Sequence, residues 1–208
     1  MHERDIYFDA VFALILGMVK KYFFYIFIAP LILLACKSKK EDDKEIFFPV
    51  LSFIQSQVAH IDTSLYPIIK LTYIDSIRTD TEYIKREDFR RLAKDFLELP
   101  DIASAKYSKR FTEEKRFEET LGRVVFTHLP VDPNKEQLQR QEVVINNAGN
   151  AVHSIFIDFF YSSKDSSVEK KLFWQTDKSF QITTIKQKPG LPETISTNKV
   201  VWNESSNQ

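Results

Sequence analysis

Acid–base, metal and nucleophilic chemistry need histidine, carboxylate, thiol or hydroxyl groups in fixed patterns, and this chain offers few of them. Of its four histidines, His60, His128 and His153 fall in the body of the sequence, far apart from one another. Scattered imidazoles serve a metal only where the fold gathers them, and single surface or core roles are the commoner use. The sequence has no His-Glu-x-x-His, no Gly-x-Ser-x-Gly elbow, no Gly-x-Gly-x-x-Gly and no P-loop, so the chemistries those motifs support have no foothold. Glu113-Glu114 and Glu118-Glu119 are acid pairs on an expected strand. Neighbours on a strand point to opposite faces, so neither pair makes a carboxylate dyad by itself. The interleaved Lys115 and Arg116 read instead as an edge strand protected by charge. Asp158 lies among aromatics and, if buried, needs a Lys or Arg partner or an upward-shifted pKa. Phe156, Phe160, Tyr161, Trp174 and Trp202 form the aromatic group most open to function. Aromatics on a sheet are ordinary core, or they line a pocket for lipid or sugar. On the second reading Phe156, Phe160, Trp174 and Trp202 are the ligand-facing candidates. Nothing here implies a cofactor, a metal or a reaction, and the expectation is a non-enzymatic protein.

Composition narrows the partners. The chain carries 29 basic and 29 acidic residues, for a formal net charge of zero. No basic field is present to bind nucleic acid. Phenylalanine is abundant, at 18 residues, and glycine scarce, at 4, which argues for a packed domain over a disordered chain. Cys36 is the single cysteine, so neither an internal disulfide nor a cysteine metal site is available.

Cys36 ends the run Leu33-Leu34-Ala35-Cys36, preceded by a basic Lys20-Lys21 and an apolar stretch over 22–34. That order resembles the lipobox of bacterial lipoproteins. The resemblance implies cleavage before Cys36, a diacylglycerol on its thiol, and a protein anchored by lipid in the envelope of a Gram-negative bacterium, at the outer membrane. Residues 1–35 are then a signal region. Met18-Val19-Lys20-Lys21 makes a better basic start than the mixed-charge Met1-His2-Glu3-Arg4-Asp5, so translation is expected to begin at Met18. A second apolar stretch runs from Phe8 to Gly17, and the rival reading is one uncleaved anchor from Ile6 to Ala35, which Lys20-Lys21 and Pro30 oppose. Residues 37–45 are a charged run that cannot bury itself and read as a tether. Glu41-Asp42-Asp43 also resembles, at a later position, the acidic tag of surface-displayed lipoproteins.

The rest of the chain, 46–204, is expected to be a single domain. Phe47, Leu51, Ile54, Val58 and Ile61 recur at helical spacing, and Pro49 is tolerable only in a first turn, which places a helix over about 48–62. Phe89, Leu92, Ala93, Phe96 and Leu97 make a second stripe, closed by Pro100. Between them, 68–77 reads as a strand, with a helix as the alternative, and Arg78-Thr79-Asp80 as a turn. From residue 110 the period changes to two. Strands are expected over 111–119, 121–129, 139–146, 152–161, 169–175, 180–187 and 196–202, with connections too short for crossover helices. The expected fold is α+β, an antiparallel meander of about six or seven strands with two amphipathic helices packed on it. The expected function is a binding or assembly module held at the membrane for an unknown envelope protein or ligand. A carrier of lipid or apolar cargo is the runner-up and an envelope hydrolase the third reading.

Overall fold

The computed structural model describes residues 47–74, 78–146 and 151–203. Cys36, the run before it, the Met18 start and the 37–45 tether lie outside the described residues. No helix among the described residues is long and apolar enough to cross a membrane.

The domain is dominated by one nine-stranded antiparallel sheet, not by helices on a smaller one. In chain order the elements are α1 (Val50–Thr63), β1 (Ile68–Tyr73), β2 (Thr79–Ile84), α2 (Arg86–Leu92), α3 (Lys94–Leu97), β3 (Phe111–Glu118), β4 (Arg123–Pro130), β5 (Leu138–Asn146), β6 (Ala151–Ser162), β7 (Ser167–Gln175), β8 (Ser179–Gln187) and β9 (Thr194–Val201). The order across the sheet is β2-β1-β9-β8-β7-β6-β5-β4-β3. Strands β3 to β9 form the expected meander, and β1 closes onto β9 with Ile69 opposite Val201.

The expectation of two helices on six or seven strands is thus corrected on both counts. β2 begins inside the stretch read as a turn, at Thr79, and runs on to Ile84. Its sequence, Thr-Asp-Thr-Glu-Tyr-Ile, has no apolar alternation because it is an edge strand exposed on nearly every residue. Polar edge strands of this kind avoid offering a sticky template to other chains. The second stripe also breaks in two. Ala93, with φ −83° and ψ 6°, ends α2 and begins α3. The turn at Ala93 keeps Phe89, Ala93 and Phe96 buried on one side, so the stripe survives although the helix does not run through.

The helices cover one face of the sheet. α1 turns Val50, Ile54, Val58 and Ile61 inward, each worth about 1.5–3 kcal/mol when fully buried. Arg86, at the start of α2, ties down the end of α1. Its guanidinium donates to the Ile61 carbonyl, to Ser64 Oγ at 3.0 Å and to the Tyr66 carbonyl at 2.9 Å, satisfying carbonyls that a helix end leaves open. Against the helices β6 presents Ile155, Ile157 and Phe159, and β7 presents Leu172 and Trp174, opposite one another in register. Gly122, at φ 58° after a short turn over Glu119–Leu121, lets the chain reverse into β4 where a side chain would be strained.

Candidate functional site

The sequence candidates separate by face. Trp174 and Trp202 lie in the helix-covered core, 0% and 3% exposed. They close an aromatic cluster with Phe89, Phe96 and Phe180. Trp174 stacks on Phe180 at 5.5 Å and meets the edge of Phe96 at 5.1 Å, and Phe89 meets Trp202 edge-on at 5.4 Å. This geometry is that of a dry core. Phe156 and Phe160 instead point to the opposite face and are exposed. Phe156 contacts Phe173 of β7 at 4.7 Å. Asp158, between them, has the partner it needs in Arg140, whose Nε donates to it at 2.8 Å. Burial pulls the Arg140 guanidinium down, but the hydrogen bond and charge of Asp158 outweigh it and the net shift is upward. On this face Val125, Val144, Ser154, Ser179 and Val201 are buried and Gln175 in the same register row is half-buried, so the face is not uniformly open.

The other sequence candidates are structural or separate. His60 is exposed on α1. His128 is fully buried on β4, with Nε2 2.7 Å from Glu113 Oε2, Nδ1 3.3 Å from the Gln141 carbonyl and its ring 4.9 Å from Phe47. Both nitrogens face oxygens, so Glu113 satisfies a buried ring. Glu114, on the other face of β3, does not join it. His153 accepts from Arg123 at Nε2, at 3.0 Å, and lies 3.1 Å from Ser154 Oγ at Nδ1. Burial first, then the charges of Arg123 and Lys178, hold its pKa below the ordinary histidine value. Among the described residues no grouping of histidine, cysteine and carboxylates could hold a metal.

The arrangement that sequence reading missed lies at one end of the helix-covered face. A cleft of about 620 Å³ opens there between α3, the segment 98–110, the loop 131–137 and the sheet. Its floor is Leu138, Phe159 and Tyr161. The Phe159 and Tyr161 rings lie 5.9 Å apart and nearly parallel, at 22°. Burial pushes the Tyr161 phenol above its ordinary range, against the pull of the Lys170 ammonium. Lys170, on β7, reaches across to Asp95 of α3 at 2.7 Å, and Arg110 pairs with Glu136 of the opposite loop. The cleft walls are held by their own hydrogen bonds. Gln139 Nε2 donates to the Pro133 carbonyl at 2.9 Å and to that of Glu136. Ser104 Oγ donates to the Asp101 carbonyl at 2.6 Å. Tyr107 is bracketed by the Lys106 ammonium at 4.9 Å and the Arg110 guanidinium at 5.0 Å.

Only a faint signal of this cleft exists in the sequence. Along β7, apolar Trp174 and Leu172 give way on the same face to Lys170, a charge where the period demands an inward residue. The charge marks where the core stops. No family model, no curated protein and no solved structure matches the chain.

Proposed function

We propose that this chain is a lipid-anchored lipoprotein of a Gram-negative cell envelope, held through Cys36, whose domain is a non-enzymatic module that binds a polar ligand in the cleft beside Tyr161. The observation that carries the binding reading is the cleft itself. Its volume falls in the range of small-molecule sites, about 300–1,000 Å³. Its walls are fixed before any ligand arrives, which lowers the ordering cost of binding. Its charges form pairs that join separate elements, Asp95 to Lys170 and Arg110 to Glu136. Such pairs brace a binding site. The anchor rests on the Leu33-Leu34-Ala35-Cys36 run. A carrier of apolar cargo is disfavoured, because charged groups line the cleft and because the aromatic cluster around Trp174 is filled by its own side chains.

The test uses the full chain purified in detergent. Thermal shift against sugars, amino acids, short peptides and fatty acids is expected to find a polar ligand that raises Tm in the wild type and not in Glu98→Lys/Asp101→Lys. Stabilisation by a fatty acid alone, unaffected by those changes, would overturn the cleft reading. Incorporation of a palmitate analogue is expected to vanish in Cys36→Ser. A free thiol on Cys36 in the wild-type protein would overturn the anchor.

A further inference from the structure

We infer that the cleft takes an uncharged, polyhydroxylated ligand, a glycan segment, and not an ion; this rests on the reading of the cleft as the binding site. The charges of the cleft oppose an ionic ligand. The lining holds four carboxylates, Asp95, Glu98, Asp101 and Glu136, against three cations, Arg110, Lys135 and Lys170. Two pairs, Asp95–Lys170 and Arg110–Glu136, are internal, and Lys135 is engaged by Asp132 at 2.9 Å. An ionic ligand finds no field of one sign here. An anion must displace a carboxylate from its cation and leave that carboxylate uncompensated, and a cation meets a single open carboxylate, Asp101, because Glu98 already pairs with Lys94 at 3.6 Å. A hydroxyl has no such conflict. Each paired carboxylate keeps lone pairs to accept from it, and each paired guanidinium or ammonium keeps N–H groups to donate to it.

The aromatic side of the cleft fits a sugar ring. Phe159 and Tyr161 are next-but-one on β6 and share its inward face, and their near-parallel rings stack, so buried Phe159 backs the half-buried Tyr161 ring. An aromatic ring held from behind and flanked by hydrogen-bonding groups suits a pyranose, which has an apolar C–H face and hydroxyls at its rim. Tyr161 adds a phenolic hydroxyl, which is a donor at neutral pH. Apolar cargo would strip water from the charged groups of the cleft and offer no hydrogen bond in its place. The cleft volume of about 620 Å³ accommodates a short oligosaccharide.

The experiment is isothermal titration of the full chain in lauryldimethylamine oxide, a detergent without a sugar headgroup. The probes are maltotetraose, cellotetraose, chitotetraose, trilysine and triglutamate. At least one tetrasaccharide is expected to bind. Its affinity should change by less than about twofold between low and high salt, because no net ion pairing is formed. Glu98→Gln should weaken it by no more than about threefold, since an amide keeps the hydrogen-bonding shape. Tyr161→Ala should abolish binding, and Tyr161→Phe should restore the floor and most of the affinity. If trilysine or triglutamate binds instead, with strong salt dependence and loss in Glu98→Lys, the ligand class is wrong while the binding cleft stands. If a tetrasaccharide binds equally well to Tyr161→Ala, it sits elsewhere and the inference fails. If no tetrasaccharide binds, the inference is also overturned, and the thermal-shift panel decides separately whether the cleft binds anything.

Discussion

The two ends of the helix-covered face are built from the same strands and behave oppositely. At one end Ile155 of β6 stands opposite Trp174 of β7, and both are fully buried. Four residues along β6, Phe159 stands opposite Lys170, and the next inward pair is Tyr161 with Val168. The inward period of two never slips. What changes is what covers it. Phe96 of α3 and Trp202 after β9 close over Trp174, with Phe89 of α2 against Trp202, whereas the chain past α3 opens into the 98–110 segment and leaves Tyr161 and Lys170 beside an open cleft. One strand face can therefore serve as core and as binding floor, and the reach of the covering helices decides where one becomes the other.

That contrast orders the expected effects of substitution. Phe96→Ala at the dry end removes a fully buried ring that packs against both Trp174 and Phe180. It should cost about 3–5 kcal/mol, read as a lower midpoint in urea. An unchanged midpoint would mean that α3 does not seal the core. Glu113→Ala, at the buried histidine of β4, should cost about 1–3 kcal/mol, because His128 Nε2 is left without a partner in a site closed to water. A loss confined to the tenths would show that water reaches the ring. Lys170→Met at the cleft end should change stability by only about 0–1 kcal/mol. Both it and Asp95 are partly exposed, and pairs of that kind contribute little. A loss as large as that of Phe96→Ala would erase the distinction between the ends.

The smallest effect is on pH. Burial raises the Tyr161 pKa above its ordinary 10.0, so the folded state holds that proton more tightly than the unfolded chain. The resulting stability is complete below the ordinary value and is lost as pH rises through the folded one. Ultraviolet difference titration of wild type against Tyr161→Phe should show one phenol ionising late. A phenol that ionises with the exposed tyrosines would place Tyr161 in solvent.

Much of the meander was legible because period two is enforced wherever one face is buried. The expected 139–146 strand is Leu138–Asn146, and the expected 180–187 strand is Ser179–Gln187. β2 was not legible, since a strand exposed on both faces carries no alternation and is defined only by its pairing, Ile68 opposite Ile84 through Tyr73 opposite Thr79. The break at Ala93 was hidden for a related reason. A turn that preserves the buried stripe leaves the hydrophobic period unchanged. The aromatic candidates were chosen by residue type, which cannot tell a ring sealed by Phe96 from one facing outward. So Trp174 and Trp202 fell in the core, and Phe156 and Phe160 on the opposite face. The cleft was invisible because it joins residues 95, 110, 136, 161 and 170, brought together only by the sheet register and by the segments flanking β3 and β5.

The most direct test of the contrast is a nuclear magnetic resonance titration of the full chain with whichever tetrasaccharide binds in calorimetry. The account expects the amides of Asp95, Glu98, Tyr161 and Lys170 to shift with ligand while the indole N–H signals of Trp174 and Trp202 stay in place. Shifts centred on those indoles, or on Phe156 and Phe160 across the sheet, would contradict it.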